Sequence, residues 1–224
     1  MFDITKLIHR IPNAVSEDIC KRYIDYFEEH KQKSYYESST EANKLEPEES
    51  SFLAYEIPPK TKHFEVIREI THKAIKSYAN YLDSSGNFHK GFRNVLRYSH
   101  KFRILKYEEK AKIHAHVDHM PFTYASIVIN LNEGYTGGEF SFFNQKYDVN
   151  LKRGEILFFP ADYFWVHEVK PITKGNRYSI NSFLGSLPYN IKTDITKEAF
   201  DQENEYRQTT DPDTMLGPYD LVNN

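Results

Sequence analysis

Two histidines and one aspartate in this chain have the types and spacing of a metal site. His116 and Asp118 are separated by one residue in the run Ile113-His114-Ala115-His116-Val117-Asp118, and His167 follows further along the chain. Two imidazoles and a carboxylate on one face of a metal ion leave the opposite face open. Non-haem Fe(II) oxygenases use that arrangement, because their metal must also take a cosubstrate and O₂. Zinc is an alternative, since the same ligand types suit it.

The spacing leaves the choice of histidines open. Alternate side chains of a strand share one face, so His114, His116 and Asp118 are expected to point the same way. His114 and His116 are therefore equally eligible as ligands. A polar strand face is the rival interpretation of this run, and a satisfied core histidine is the rival interpretation of His167 alone.

Two helices are predicted before this region. Residues 15–30 place apolar side chains on one face, with Ser16 as the expected N-cap, and residues 63–82 carry a second apolar stripe. The polar, proline-containing segment 32–62 is predicted to be a loop, and residues 84–93 are predicted to form a second loop.

From about residue 94 the apolar period changes from 3.6 to 2, which predicts strands. The predicted strands are 102–107, 112–118, 125–131, 139–143, 155–159, 167–169 and 178–183. Short strands without intervening helices favour a sandwich or barrel. We therefore expect a mostly β, α+β protein of one domain (1–224). Residues 1–93 would supply helical support and loops, 94–186 a catalytic core and 187–224 an irregular tail.

Four ordered motifs then resemble the 2-oxoglutarate and Fe(II)-dependent dioxygenases of the prolyl 4-hydroxylase type, over residues 102–184. The motifs are Tyr107-Glu108-Glu109 with His116-Val117-Asp118, Leu131-Asn132 with Gly137-Gly138-Glu139, the run from Lys152 to Pro160, and the run from His167 to Ser179. The resemblance implies a double-stranded β-helix (jelly-roll) core covered on one side by helices. It also implies Fe(II), 2-oxoglutarate and O₂ as cofactor and cosubstrates, with ascorbate as a further candidate.

Residue by residue, the resemblance implies that His116, Asp118 and His167 are the iron ligands. Arg177 matches the residue that pairs with the distal carboxylate of 2-oxoglutarate, and its planar guanidinium suits a carboxylate. Tyr107 matches a tyrosine that helps to hold this cosubstrate. Ser179 shares the strand face of Arg177, and its hydroxyl is a candidate hydrogen-bond donor to 2-oxoglutarate. Lys110 and Asn130 depart from the family pattern, which often has glycine and tyrosine there.

The implied reaction is hydroxylation of a C–H bond with release of succinate and CO₂. A prolyl or other peptidyl residue is the first expected substrate, and a free amino acid or other small molecule is the second. Candidate substrate-facing groups are the two predicted loops and Tyr124, Phe142 and Trp165. The rivals are a non-enzymatic β-sandwich and a cupin-like zinc or manganese enzyme that uses no keto acid.

The composition limits the remaining function classes. A net charge of −3 gives no bulk electrostatic case for nucleic-acid or membrane binding, and no apolar run approaches membrane-spanning length. Cys20 is the single cysteine, so no intrachain disulfide can form, and it is expected to be buried. The N-terminus carries no signal-peptide pattern, and a cytoplasmic location is expected.

Overall fold

The computed structural model describes residues 3–37, 50–84, 95–96, 98–99, 101–120 and 123–185. These ranges contain two α-helices, α1 (Glu17–Glu29) and α2 (Lys62–Ser84), and two short 3₁₀ helices (Ile4–Leu7 and Lys31–Lys33). The described strands are β1 (His9–Ile11), β2 (Tyr35–Glu37), β3 (Phe52–Glu56), β4 (Tyr98–Ser99), β5 (Arg103–Tyr107), β6 (Ile113–His116), β7 (Thr123–Asn130), β8 (Thr136–Gly137), β9 (Phe140–Phe142), β10 (Tyr147–Val149), β11 (Ile156–Pro160), β12 (His167–Val169), β13 (Ile172–Lys174) and β14 (Arg177–Gly185).

Two antiparallel sheets form the core. The major sheet has eight strands in the order β1-β11-β7-β14-β5-β3-β2, with β4 paired to β14. The minor sheet has four strands in the order β10-β9-β12-β6, and β13 pairs with β8 beside them. Strands adjacent in space are mostly not adjacent in sequence, which is the topology of a jelly roll. The predicted double-stranded β-helix is confirmed, and so is its cover of helices.

Both helices pack on the outer face of the major sheet. The spacing of the apolar residues in α1 and α2 gives each helix one buried stripe, which meets the side chains that point outward from the sheet. The ring of Tyr78 on α2, for example, stacks on that of Phe158 on β11 with 4.8 Å between centroids. Cys20 is buried in this layer, as expected.

A second apolar cluster fills the space between the two sheets. Residues of the major sheet alternate between the two clusters, so that Ile104 faces the helices while its neighbour Leu105 faces the minor sheet. The inner cluster also contains Phe140 and Phe142 of β9 and Val169 of β12. The inner face of the major sheet and the minor sheet therefore enclose the space in which a site can form.

The prediction of a loop over residues 32–62 was wrong for its described part. Residues Tyr35–Glu37 and Phe52–Glu56 form strands β2 and β3, and β3 pairs with β5 in the major sheet. Four consecutive residues of β3, Phe52 to Tyr55, are buried because β3 lies between helix and cavity. Such a strand lacks the polar–apolar alternation of a half-exposed one, which explains the error.

The other predicted segments agree with the described elements to within a few residues at their ends. Ser16 occupies the N-cap position of α1, although its side chain makes no capping hydrogen bond. The predicted tail 187–224 and the second predicted loop, apart from Ser84, lie outside the described residues. Neither of the described helices is long and apolar enough to cross a membrane.

Candidate active site

His116, Asp118 and His167 come together between the two sheets. His116 ends β6 and pairs in register with His167, which begins β12, so that the two imidazole centroids lie 4.3 Å apart. Asp118 lies just beyond β6, with its carboxylate 3.2 Å from Nε2 of His116 and 3.4 Å from Nε2 of His167. One potential ligand atom from each residue lies within 4.8 Å of the others. This separation allows all three to bind one metal ion.

Backbone carbonyls fix the orientation of both imidazoles. Nδ1 of His116 lies 2.7 Å from the carbonyl oxygen of His114, and Nδ1 of His167 lies 2.9 Å from that of Trp165. A proton on each Nδ1 makes these contacts hydrogen bonds and leaves each Nε2 as a lone-pair donor directed at Asp118. Metal-binding histidines are commonly held in this way.

Asp118 is a carboxylate that the surrounding groups keep ionised. Burial alone would raise its pKa, but His167, His116 and a hydrogen bond from the Ser126 hydroxyl outweigh burial and lower the pKa to about 2. Burial lowers the pKa of His167, which favours the neutral imidazole that a metal requires. The site therefore offers one anionic oxygen and two nitrogens, as a 2-His-1-carboxylate centre does.

An irregularity in β6 decides between His114 and His116. Val169 of β12 pairs with Ile113 while His167 pairs with His116, so three residues of β12 lie opposite four of β6. Such a bulge breaks the strict alternation that made both histidines eligible. His116 belongs, with Asp118 and His167, to the group that could hold a metal ion (the metal-ligating group below), and His114 does not.

Arg177 begins β14 and lies opposite Tyr107 of β5 in the register of the major sheet. The side chain is almost fully buried, and the guanidinium carbon lies 5.0 Å from the ring centroid of Tyr107 and 5.2 Å from that of Phe140. Both terminal nitrogens, Nη1 and Nη2, lack a hydrogen-bond partner among the described residues. A buried cation with unsatisfied donors is costly unless a ligand anion completes it.

Two neighbours of Arg177 fit the same interpretation. The Ser179 hydroxyl is buried and has no hydrogen-bond partner among the described residues. Gly138 has φ of +75°, and a Cβ there would lie 3.0 Å from Cδ of Arg177 and 2.5 Å from the Ile172 side chain. Glycine at this position therefore leaves the space in which the arginine lies.

A cavity of about 170 Å³ connects these groups. Its lining includes all three residues of the metal-ligating group, together with Tyr107, Ser179 and Phe140. Arg177 lies directly behind this wall, between the rings of Tyr107 and Phe140. Burial raises the pKa of the Tyr107 phenol, so that its hydroxyl stays protonated and can donate a hydrogen bond.

The three aromatic residues proposed from the sequence to face a substrate have different environments. Phe142 and Trp165 are buried in the cluster between the sheets and do not line the cavity, so that proposal was wrong for them. Trp165 instead supports the site through its backbone carbonyl. Tyr124 on β7 is exposed but is not among the residues that line the cavity.

Sequence reasoning missed five polar residues that line the cavity: Glu37, Arg103, Ser126, Asn181 and Ser182. Arg103 and Asn181 were detectable in principle, because they lie on the same strand faces as Tyr107 and Ser179 at intervals of two residues. Glu37 was not detectable, because its segment was taken for a loop.

The donor set fits a divalent transition metal, and iron or zinc would suit it on ligand type alone. The unsatisfied donors of Arg177 and Ser179 fit a second ligand, of carboxylate chemistry, beside that metal. The residues present are thus those that a keto-acid-dependent metal centre requires.

Comparison with known proteins agrees with this geometry. Residues 102–185 match the sequence model of the 2OG-Fe(II) oxygenase superfamily, and the three metal-ligating residues and Arg177 all lie within that range. No curated protein matches the sequence.

Several solved structures share the fold. A prolyl-4-hydroxylase from Pseudomonas putida is 16% identical with a TM-score of 0.61, covering 80% of this chain and 92% of that one. A Trichoplax adhaerens prolyl hydroxylase, solved with a peptide of hypoxia inducible factor, is 16% identical with a TM-score of 0.62, covering 81% and 84%. A viral collagen prolyl hydroxylase from Paramecium Bursaria Chlorella virus-1, solved with 2OG, is 15% identical with a TM-score of 0.58, covering 81% and 97%.

At this identity the structural likeness supports the fold alone, whereas the match to the superfamily covers the segment that carries the site. Fe(II) and 2-oxoglutarate are the cofactor and cosubstrate that this superfamily implies. The expected resemblance is confirmed over residues 102–185, which match the 2OG-Fe(II) oxygenase superfamily, and the solved prolyl hydroxylases share the fold.

Proposed function

We propose that this protein hydroxylates a C–H bond of a peptidyl residue, with proline as the first candidate, and releases succinate and CO₂. His116, Asp118 and His167 hold Fe(II), which supplies the activation of O₂ and the decarboxylation of 2-oxoglutarate when bound. The protein's own residues bind and orient the reactants and exclude water.

The Arg177 guanidinium carries the proposal for 2-oxoglutarate. Its terminal nitrogens are buried without a partner among the described residues, and the rings on both sides hold the group in place. A carboxylate would accept two parallel hydrogen bonds from such a fork. Tyr107 and Ser179 would add donors from the same wall of the cavity. A non-enzymatic sandwich gives no reason to bury this cation.

The peptidyl substrate rests on similarity. The Trichoplax structure of the same fold contains a peptide, and the Pseudomonas and viral structures are prolyl hydroxylases. The cavity in this protein reaches beyond the metal-ligating group to Phe183 and Arg103, so there is space beside the metal for a substrate group.

An anaerobic titration tests the cofactor chemistry. Metal-free protein receives Fe(II) and then 2-oxoglutarate, and the visible charge-transfer band of a keto acid chelated to iron is recorded. We expect the band in the wild-type protein and a weakened band in Arg177→Ala, whose circular dichroism spectrum serves as the folding control.

Two outcomes would overturn the proposal. Iron binding without a band would favour a cupin-like metal enzyme that uses no keto acid. The absence of any metal binding by a folded protein would favour a non-enzymatic sandwich.

A further inference from the structure

A polar cluster lies in the cavity away from Arg177. Arg103 on β5 donates from Nη1 to the Glu37 carboxylate at 2.8 Å and from Nε to the Asn181 side-chain oxygen at 3.2 Å. Its guanidinium also lies 5.6 Å from the ring centroid of Phe183, and its side chain is only 15% exposed. All four residues line the cavity.

The register of the major sheet puts this cluster beside the metal-ligating group. Asn181 lies between Arg103 of β5 and Val128 of β7, whereas Arg177 lies four residues away along β14, about 13 Å at the rise of an antiparallel strand. Ser126, which donates a hydrogen bond to Asp118, lies on β7 opposite Phe183. Along the strands of the major sheet, the cluster therefore lies at the same height as Asp118, whereas Arg177 does not.

The charges of the cluster are already balanced. Burial would lower the pKa of Arg103, but Glu37 and Tyr35 outweigh this and raise it, so that the guanidinium stays charged. Glu37 neutralises that charge through its 2.8 Å bond. An anionic ligand would compete with Glu37, and a cationic ligand would compete with Arg103. A neutral polar ligand avoids both costs.

The donors and acceptors that Arg103 and Glu37 have left suit a neutral group that both accepts and donates a hydrogen bond. Arg103 has five N–H donors, and its contacts with Glu37, Asn181 and Tyr35 do not use all of them. Glu37 has a second carboxylate oxygen that can accept. A peptide group presents one carbonyl acceptor and one N–H donor, so it can bond to both sides of the pair. Nearby apolar lining residues, Phe52, Leu105, Ile113 and Phe183, suit an adjacent side chain.

We propose that Arg103, Glu37 and Asn181 bind the peptide group next to the residue that is hydroxylated. Arg103 and Asn181 donate to its carbonyl oxygen, and Glu37 accepts from its N–H. The inference rests on the proposed function and specifies the substrate class: a backbone amide within a chain, not the charged ends of a free amino acid.

The test uses two probes with Fe(II)- and 2-oxoglutarate-loaded protein. One is a pentapeptide mixture, randomised at every position and blocked by N-acetyl and C-amide groups, and the other is the twenty free L-amino acids at equal total concentration. Succinate formation is measured with each probe and without either, and the stimulation ratio is the result. Mass spectrometry then identifies the hydroxylated peptides.

The variant is Arg103→Met combined with Glu37→Gln, which removes both charges and leaves neither partner unpaired. We expect the blocked peptides, and not the free amino acids, to stimulate the wild-type protein. In the double variant we expect the ratio to fall towards one and the KM for a recovered peptide to rise more than tenfold, with a smaller change in kcat. Lys106→Met is the matched control, because Lys106 lies on the same strand but faces the helices.

Three outcomes would overturn the inference: stimulation by free amino acids alone, a double variant that responds like the wild-type protein, or succinate formation that neither probe stimulates. Failure of the proposed cofactor chemistry looks different, because the wild-type protein would then form no succinate at all and show no charge-transfer band.

Discussion

Two buried cations at neighbouring register positions of the major sheet have opposite environments. Lys106 of β5 lies opposite Tyr178 of β14, and its side chain reaches Glu28 of α1. Arg177 lies opposite Tyr107 and packs between the rings of Tyr107 and Phe140, behind the cavity wall. Nζ of Lys106 has carboxylate partners, Glu28 at 3.0 Å and Glu108 at 3.3 Å. The terminal nitrogens of Arg177 have none among the described residues.

The difference fits a structural role for Lys106 and the ligand-binding role proposed for Arg177. The outer face uses Lys106 to join α1 to the sheet, and the Tyr178 hydroxyl completes the network by donating to Glu28 at 2.6 Å. The inner face leaves its cation incomplete between two rings, which lowers the stability of the ligand-free protein. A fold retains an unpaired buried cation when a ligand supplies its hydrogen-bond partners. Removal of Arg177 should therefore raise the stability of the ligand-free protein, whereas removal of Lys106 should lower it.

The largest effect is expected at Asp118, the carboxylate between the two sheets. Asp118→Ala removes one of the three metal-ligating residues, and we expect succinate formation to fall by at least about a hundredfold because iron is no longer held. His114→Ala is the control, since His114 lies outside the ligating group and its backbone carbonyl, which holds His116, is retained. Succinate formation by Asp118→Ala at the wild-type rate would contradict the ligand assignment.

The next largest effects are expected at Arg177, where the stability of the ligand-free protein and the affinity for 2-oxoglutarate should change in opposite directions. Arg177→Met keeps most of the volume and removes the unpaired charge, so the ligand-free protein should gain about 1 kcal/mol and melt a few degrees higher. The same variant should bind 2-oxoglutarate on the order of a hundredfold more weakly, because a bidentate charged contact of about 3 kcal/mol is lost. Thermal melts of the iron-loaded protein with and without 2-oxoglutarate measure both effects. A lower melting temperature without ligand would show that Arg177 is structural.

Lys106→Met should behave in the opposite way. It leaves Glu28 without its ammonium partner in a half-exposed position, and we expect a loss of about 1–2 kcal/mol in the free energy of unfolding. Binding of 2-oxoglutarate should not change. Denaturant unfolding measures the loss, with Lys21→Met as the control, because the exposed Lys21–Asp25 pair is worth less than about 0.5 kcal/mol. Equal losses in the two variants would refute the structural role of Lys106.

Much of this arrangement was predictable from the sequence, for a physical reason. Helix α2 shows its period directly, and β7 and β11 are apolar runs bounded by turn residues, which is typical of strands buried on both faces. The candidate ligands His116, Asp118 and His167 could be proposed from the sequence because ordered motifs limit the alternatives that spacing alone leaves open.

The remaining features depend on contacts between distant parts of the chain. The bulge that selects His116 over His114 arises from the pairing of β6 with β12, which no local pattern encodes. The bond between Arg103 and Glu37 joins residues separated by 66 positions. Phe142 and Trp165 were assigned to a substrate because aromatic content does not distinguish a cavity wall from the core beside it.

The smallest effect expected is the pH dependence that Glu28 contributes on the outer face. Burial would raise the pKa of Glu28, but hydrogen bonds from Tyr178 and Lys106 outweigh it and hold the pKa below its usual 4.5. A carboxyl whose pKa is lower in the folded state stabilises the protein fully above its unfolded-state value and loses this effect as the pH falls through the folded-state pKa. Glu28→Gln should therefore be less stable than the wild-type protein near pH 7, and the difference should shrink as the pH falls below 4.5. Unfolding curves collected across this range measure the difference, and a gap that stays constant or widens on acidification would mean that Glu28 does not act through its charge. Since Glu28 contacts Lys106 and not Arg177, the affinity for 2-oxoglutarate at neutral pH should be the same in the wild-type protein and in Glu28→Gln.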